Sequence, residues 1–291
     1  MFSGAMTAMV TPFRDGKVDE ERLREHIEHQ IENGIDGLVP VGTTGESPTL
    51  DFPEHEHVIE VTVEVSRGRI PVIAGVGGNA TTEALELHNF AKRCGADAGL
   101  SVNPYYNKPT QEGLYRHFMT LADSVDLPIV LYNIPGRTGI NMTPQTIARL
   151  ARHPNIVAIK EATGVIDQAS EIMSLCDLPI LSGDDSLTLP LMSIGGKGVI
   201  SVVSNLLPDE VKSMVKLAQD GDYTDAAQIH RRLFPLVKSL FLDGNPAGIK
   251  YAMKLAGRDT GEMRLPLWEA SEATQQQIAR HMKELDLIAV H

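Results

Sequence analysis

Lys160 closes the apolar run IVAIK and is followed by Glu161 and the loop residues Ala162–Gly164. An ammonium at the end of a buried strand is desolvated, and desolvation favours the neutral amine. A neutral amine is a nucleophile suited to imine formation with a carbonyl substrate. A strand-end lysine can also snorkel to the rim or pair with an acid, so its company decides. Thr43 and Thr44 in GTTGES, Tyr106 in NPYYNKP, Tyr132 at the end of PIVLY and Arg137 in NIPGRTG each follow an apolar run. Together they would supply anion donors, a proton carrier and a bidentate carboxylate clamp. A threonine-glycine loop can also serve only its own turn, and a loop arginine can be a surface ion pair.

These residues are far apart in sequence, so the fold must gather them. Eight apolar runs recur in order: AMTAMV, GLVPV, IPVIAG, AGLSV, PIVLY, IVAIK, PILSG and GVISV. Each is followed by a loop and a segment of helical period, which predicts eight β-loop-α units. In DEERLREHIEHQIENG, Leu23, Ile27 and Ile31 recur at steps of four and Gly34 ends the pattern. In NMTPQTIARLA, Thr143 is placed to cap and Pro144 to open a helix. The absence of an obvious reversal point favours an α/β fold of the (β/α)8 TIM-barrel type over a doubly wound sheet. In a barrel the strands' C-terminal ends share one rim, and that rim carries function. After GVISVVSNLLPDE the strand signals stop, and helical patterns follow near 209–219, 223–241, 246–256 and 271–286. The first completes the barrel, giving a catalytic barrel over 1–222 and a small C-terminal helical domain over 223–291.

Composition narrows the partners. The 291 residues carry a net charge of −12, from 26 basic and 38 acidic side chains. That balance argues against nucleic acid or an anionic membrane surface, and no apolar run reaches a membrane-spanning length. The start, MFSGAMTAMVTPF, reads as a first strand rather than a signal peptide. Cys94 and Cys176 have no metal or disulfide spacing and fit a reducing, cytoplasmic setting. GVGGNA matches a dinucleotide fingerprint, but the nearest acid, Asp97, precedes strand four and lies at the wrong end. GGKG at 195–198 precedes strand eight, on the face opposite the rim. His55 and His57, two apart on a helix, lie on different faces, and His26 with His29 has no evident third ligand, so zinc is not expected.

Five motifs in order, GTTGES, PYYNKPTQEG, YNIPGRTG, IKEATG and LSGDD, resemble the dihydrodipicolinate synthase family of pyruvate-dependent class I aldolases. The similarity runs from GAMTAMVTPF into the C-terminal helices. The resemblance implies that Lys160 forms a Schiff base with pyruvate, whose enamine attacks L-aspartate 4-semialdehyde, with no metal or organic cofactor. It implies Tyr132 as general acid/base, relayed through Thr43 and a Tyr106 that enters the neighbouring subunit's site in a homotetramer built as a dimer of dimers. Thr43 and Thr44 match residues that bind pyruvate's carboxylate, Arg137 the residue that holds the semialdehyde carboxylate, and Gly183 and Ile200 positions lining the pyruvate pocket. Ser47, His55, Asn79, Glu83 and Tyr105 match an allosteric lysine site, whereas Pro48 and Phe52 depart from its pattern, so lysine inhibition is expected to be weak or absent. The wider family includes N-acetylneuraminate lyase and sugar-acid aldolases and dehydratases. Arg137 favours the synthase reading over these; a noncatalytic pyruvate-binding barrel is the remaining alternative, which a borohydride-trapped pyruvate adduct would separate.

Overall fold

Eight short strands run parallel in a computed structural model that describes residues 2–289: β1 Gly4–Ala8, β2 Gly37–Val39, β3 Ile73–Gly75, β4 Ala98–Val102, β5 Ile129–Asn133, β6 Ile156–Glu161, β7 Ile180–Ser182 and β8 Gly198–Ser201. Their ladder order is β2-β1-β8-β7-β6-β5-β4-β3. The first strand pairs with the last, Met6 opposite Ile200, and the Leu38–Val72 bridge closes the remaining gap between β2 and β3. The chain therefore forms the expected barrel. Because side chains alternate across a strand, one set points in and the other faces the helices. Met6, Val39, Ile73, Leu100, Val130, Ala158, Leu181 and Ile200 fill the interior.

The helices α1 Glu20–Glu32, α2 Phe52–Ser66, α3 Thr81–Cys94, α4 Gln111–Ser124, α5 Pro144–Leu150, α6 Ile166–Leu175, α7 Thr188–Ser193 and α8 Pro208–Gln219 follow the strands in turn. Thr143 caps α5 by accepting from the Thr146 N–H, with Pro144 in the first turn. In α1 Leu23 and Ile27 are fully buried, as their four-residue step requires. Three further helices complete the described chain: α9 Tyr223–Leu240, α10 Ala247–Leu255 and α11 Glu272–Glu284. Their Leu236, Ile249, Met253 and Ile278 share one apolar cluster with Leu23, Ile27 and Val215 of the barrel helices. The C-terminal helices are thus docked on the barrel by a common core. No helix among the described residues is long and apolar enough to cross a membrane.

One local outcome differs from the sequence pattern, and another gives the reason for a motif set aside there. The run GLVPV yields a strand only to Val39, because Val41 takes a left-handed conformation with φ +50°. The apparent fingerprint GVGGNA is a steric requirement: a Cβ on Gly75 would lie 2.3 Å from the Val41 carbonyl oxygen, and one on Gly77 2.4 Å from the Val102 nitrogen. Asp97 serves the opposite end of the barrel, where its carboxylate accepts from the Val72 N–H at 2.8 Å.

The layer between β4 and its helices holds two neutral imidazoles. Burial pushes His88 and His117 down to about 4, and His88 keeps one hydrogen bond, from Nδ1 to the Ala84 carbonyl at 2.7 Å. An unfolded histidine protonates near pH 6.5. Between that value and about 4 the unfolded chain binds protons that the folded one refuses, so stability falls as pH falls. The thermal midpoint is expected to drop across this window. It should drop less steeply in His88→Asn, which keeps a donor for Ala84 but does not titrate; the difference should reach about 1–3 kcal/mol near pH 4. Identical slopes in calorimetric scans of the two proteins would reject this account of His88.

Candidate active site

Lys160 and Tyr132 are register partners on the adjacent strands β6 and β5. They continue the inward series Ala158 and Val130, so both side chains enter the barrel mouth. Lys160 is only 5% exposed, and its Nζ lies 4.4 Å from the centre of the Tyr132 ring. The neighbouring strand end is shaped to this side chain. A Cβ on Gly183 would fall 2.5 Å from Ala162 Cβ and 3.2 Å from Lys160 Cε. Burial raises the carboxyls of Asp184 and Asp185, with the nearby Lys160 opposing the shift in both. Asp185 also accepts from Ser201 Oγ and from the Val202 and Val203 N–H groups, which ties the ends of β7 and β8 together. Glu161 points out of the barrel. It accepts from the Thr163 N–H and Asn133 Nδ2, holding the loop that follows Lys160.

Across the mouth, the loop after β2 turns back on itself at Val41. A β-branched residue with φ +50° is strained, and such strain persists only where its surroundings enforce it. The turn brings Gly42 and Thr43 to the wall of a cavity of about 260 Å³, which Tyr132, Arg137, Ile134 and Thr138 also line. Arg137 sits in the short helical turn Pro135–Thr138 that follows β5. Its Nη2 donates to the Asn245 carbonyl at 3.0 Å, and Asn245 Nδ2 donates to Thr44 Oγ1 at 2.9 Å. Asn245, from the turn before α10, thus bridges the guanidinium and the threonine loop. Its own Oδ1 is buried without a hydrogen-bond partner. Tyr132, Thr43 and Arg137 share the cavity wall, and the buried Lys160 amine lies against the Tyr132 ring, an arrangement suited to a small carbonyl compound carrying a carboxylate.

The residues singled out in the sequence fall into three groups. Lys160, Tyr132, Thr43, Thr44, Arg137 and Gly183 gather at the mouth, and Ile200 lies in the barrel interior opposite Met6. Tyr106 does not join them within the chain. It is 89% exposed, at φ +73°, and its neighbour Tyr105 lines the cavity instead. The positive φ at Tyr106 turns consecutive side chains to different sides, which strand-end position alone does not reveal. Ser47, His55, Glu83 and Tyr105 line a second cavity of about 170 Å³ together with Pro48 and Phe52. This second cavity shares Ser47, Pro48, Gly77 and Tyr105 with the first. His55 contacts the Gly75 carbonyl at 2.7 Å and is shifted down by burial, while burial and the nearby Glu83 carboxylate push the Tyr105 phenol up. Asn79 is not on that wall; its carbonyl accepts from Asn107 Nδ2, bracing the loop that carries both tyrosines.

Residues of the C-terminal segment at the mouth carry no signal in the sequence. Asn245 precedes a proline at the start of a helical pattern, and nothing local distinguishes it from a turn asparagine. Lys250 is a fully buried lysine in an amphipathic helix, and its partner Glu46 belongs to GTTGES, where the motif draws attention only to the threonines.

Comparison with known proteins agrees with this geometry. Residues 1–285 match the model of the dihydrodipicolinate synthetase family. The chain is 53% identical, over 99% of its length and 100% of the relative, to 4-hydroxy-tetrahydrodipicolinate synthase of Pelobacter propionicus. Its fold is similar to the crystal structure of dihydrodipicolinate synthase from Aquifex aeolicus, with TM-score 0.97, 49% identity and full coverage of both chains. It is also similar to the Acinetobacter baumannii enzyme solved in complex with pyruvate, with TM-score 0.96 and 42% identity over 99% of this chain and 100% of that one.

Proposed function

Since this chain belongs to the dihydrodipicolinate synthetase family, we propose that it is a 4-hydroxy-tetrahydrodipicolinate synthase condensing pyruvate with L-aspartate 4-semialdehyde. The observation that carries the reading is the buried Lys160 amine beside the Tyr132 phenol, at a mouth that also holds Thr43 and Arg137.

Lys160 Nζ attacks the ketone carbon of pyruvate, and loss of water gives a cationic imine. The imine acidifies the adjacent methyl group, and its deprotonation gives an enamine. The enamine carbon bonds to the aldehyde carbon of the semialdehyde, whose oxygen takes a proton. The substrate's own amine then displaces Lys160 from the imine carbon, closing the ring and freeing the lysine. Each proton needs a carrier, and Tyr132 is the phenol nearest Lys160. Thr43 and Thr44 bind the pyruvate carboxylate, with Gly183 and Ile200 shaping that pocket, and Arg137 clamps the semialdehyde carboxylate. Coupled turnover with pyruvate and L-aspartate 4-semialdehyde tests the assignment, with sialic acid and 2-keto-3-deoxygluconate as controls. Preferred turnover of either control would overturn it.

Tyr106, turned outward from its own chain, serves the site of a second copy in this reading, within a homotetramer arranged as a dimer of dimers. Lys160→Ala and Tyr106→Phe are each expected to be nearly inactive. Dissociated, mixed equally and reassociated, they should recover roughly a quarter of wild-type activity, the share for random pairing in a two-site dimer. A mixture no more active than its parts would place Tyr106 outside the reaction. The second cavity, with Ser47, His55, Glu83, Tyr105 and the adjoining Asn79, is read as a lysine effector site of weak response, because Pro48 and Phe52 put apolar surface on its wall. Free Cys94 and Cys176 fit work in the cytoplasm.

A further inference from the structure

We propose that Lys250 is a positioning residue for the substrate-binding loop: its buried ammonium holds Glu46, and through Glu46 it fixes the backbone of Gly42–Ser47 that presents Thr43 and Thr44. The inference rests on the functional reading above only in assigning that loop to the keto acid's carboxylate.

Lys250 lies on α10, outside the eight β/α units, yet neither it nor Glu46 has any exposed surface. Lys250 Nζ is 2.9 Å from Glu46 Oε1 and donates to the Thr11 carbonyl at 2.8 Å, with the Phe13 ring centre 4.5 Å away. The other carboxylate oxygen of Glu46 accepts from the Arg264 N–H at 3.1 Å. The loop's only charged side chain is therefore held inside the protein by two segments remote in sequence. The loop backbone is equally constrained. Glu46 is left-handed, at φ +57°, and its N–H donates to the Thr43 carbonyl. The Gly45 carbonyl accepts from Thr11 Oγ1 at 2.7 Å. Thr11 thus touches the loop through its hydroxyl and Lys250 through its carbonyl. Five residues before Lys250, Asn245 donates to Thr44 Oγ1, so the start of α10 grips the loop at two points.

Desolvating two opposite charges rarely stabilises a fold more than a well-packed apolar pair would. What a buried pair does provide is geometry, since each charge must keep its partners or remain unpaired in a low-dielectric setting. Here the geometry is that of the loop that brings Thr43 to the cavity wall and Thr44 to Asn245. Lys250 itself takes no part in the chemistry, because its amine is enclosed by Glu46, Thr11 and Phe13.

The test uses the full chain and three variants: Lys250→Met, Glu46→Gln and the double substitution, which leaves no unpaired charge. The readout is the pyruvate concentration giving half-maximal borohydride trapping on Lys160, set beside kcat at saturating pyruvate and the melting midpoint. In each variant the half-saturating concentration is expected to rise at least about tenfold, equivalent to about 1.4 kcal/mol. The kcat at saturation should stay within about threefold, because the loop binds and does not react. Any variant melting within about 5 °C of wild type that traps pyruvate at the wild-type half-saturation overturns the proposal. Failure of all three to fold overturns it too, since the pair would then hold the fold rather than the loop. Absence of an adduct in wild type would instead strike the functional reading, which keeps the two failures distinct.

Discussion

Lys160→Ala is expected to abolish the covalent pyruvate adduct and to lower turnover by at least about 10⁴-fold, the scale seen when a covalent nucleophile is removed. Intact-mass measurement after pyruvate and borohydride reads the first effect: one reduced adduct per wild-type chain and none in the variant. The geometry leaves no substitute for this amine. Lys160 is the strand-end lysine paired in register with Tyr132, and its Cε runs past Gly183, where a Cβ would come within 3.2 Å of it. The other buried lysine, Lys250, is enclosed by its own partners Glu46, Thr11 and Phe13. Tyr132→Phe should separate the two roles. It keeps the ring beside Nζ and removes the hydroxyl, so trapping is expected to persist while turnover falls by about 10²–10⁴-fold, the range for a lost general acid/base. An adduct that survives in Lys160→Ala would end the nucleophile assignment.

Arg137→Ala is expected to reduce kcat/KM for the semialdehyde by about 100-fold, near the upper value of a charged hydrogen-bonded pair, while pyruvate trapping changes little. The asymmetry follows from position. Arg137 is on the turn after β5, with one nitrogen committed to the Asn245 carbonyl and the rest of the fork facing the cavity. Lys160 is on the adjacent strand β6, in register with Tyr132, and shares no hydrogen bond with that fork among the described residues. Arg137→Lys should recover little, because a point charge does not reproduce two parallel donors. Steady-state kinetics varying each substrate in turn checks both claims. Unchanged semialdehyde turnover would remove Arg137 from the substrate assignment.

Much of the site is legible in the order of residues because barrels impose a rule that sequence obeys locally. Residues just after each apolar run must lie on one rim, so counting runs gathers Thr43, Tyr132, Arg137 and Lys160. Tyr106 obeys the same count and still leaves the rim of its own chain. Its backbone is left-handed, and handedness at a non-glycine residue depends on the loop around it rather than on its type. Pairing partners such as Asn245 with Thr44, and Lys250 with Glu46, are separated by some two hundred residues, and no spacing rule connects them.

The order and period of apolar runs, together with the lysine ending the sixth, determined the barrel and its reactive residue, because alternation and helical repeat are properties of neighbouring residues. Tertiary structure alone decided which tyrosine faces the cavity, how the loop after the second strand is braced, and that the C-terminal helices reach into the mouth. Those outcomes arise from desolvated charges and amides finding partners across the fold. Such partners are chosen by distance in space, to which the order of residues along the chain is blind.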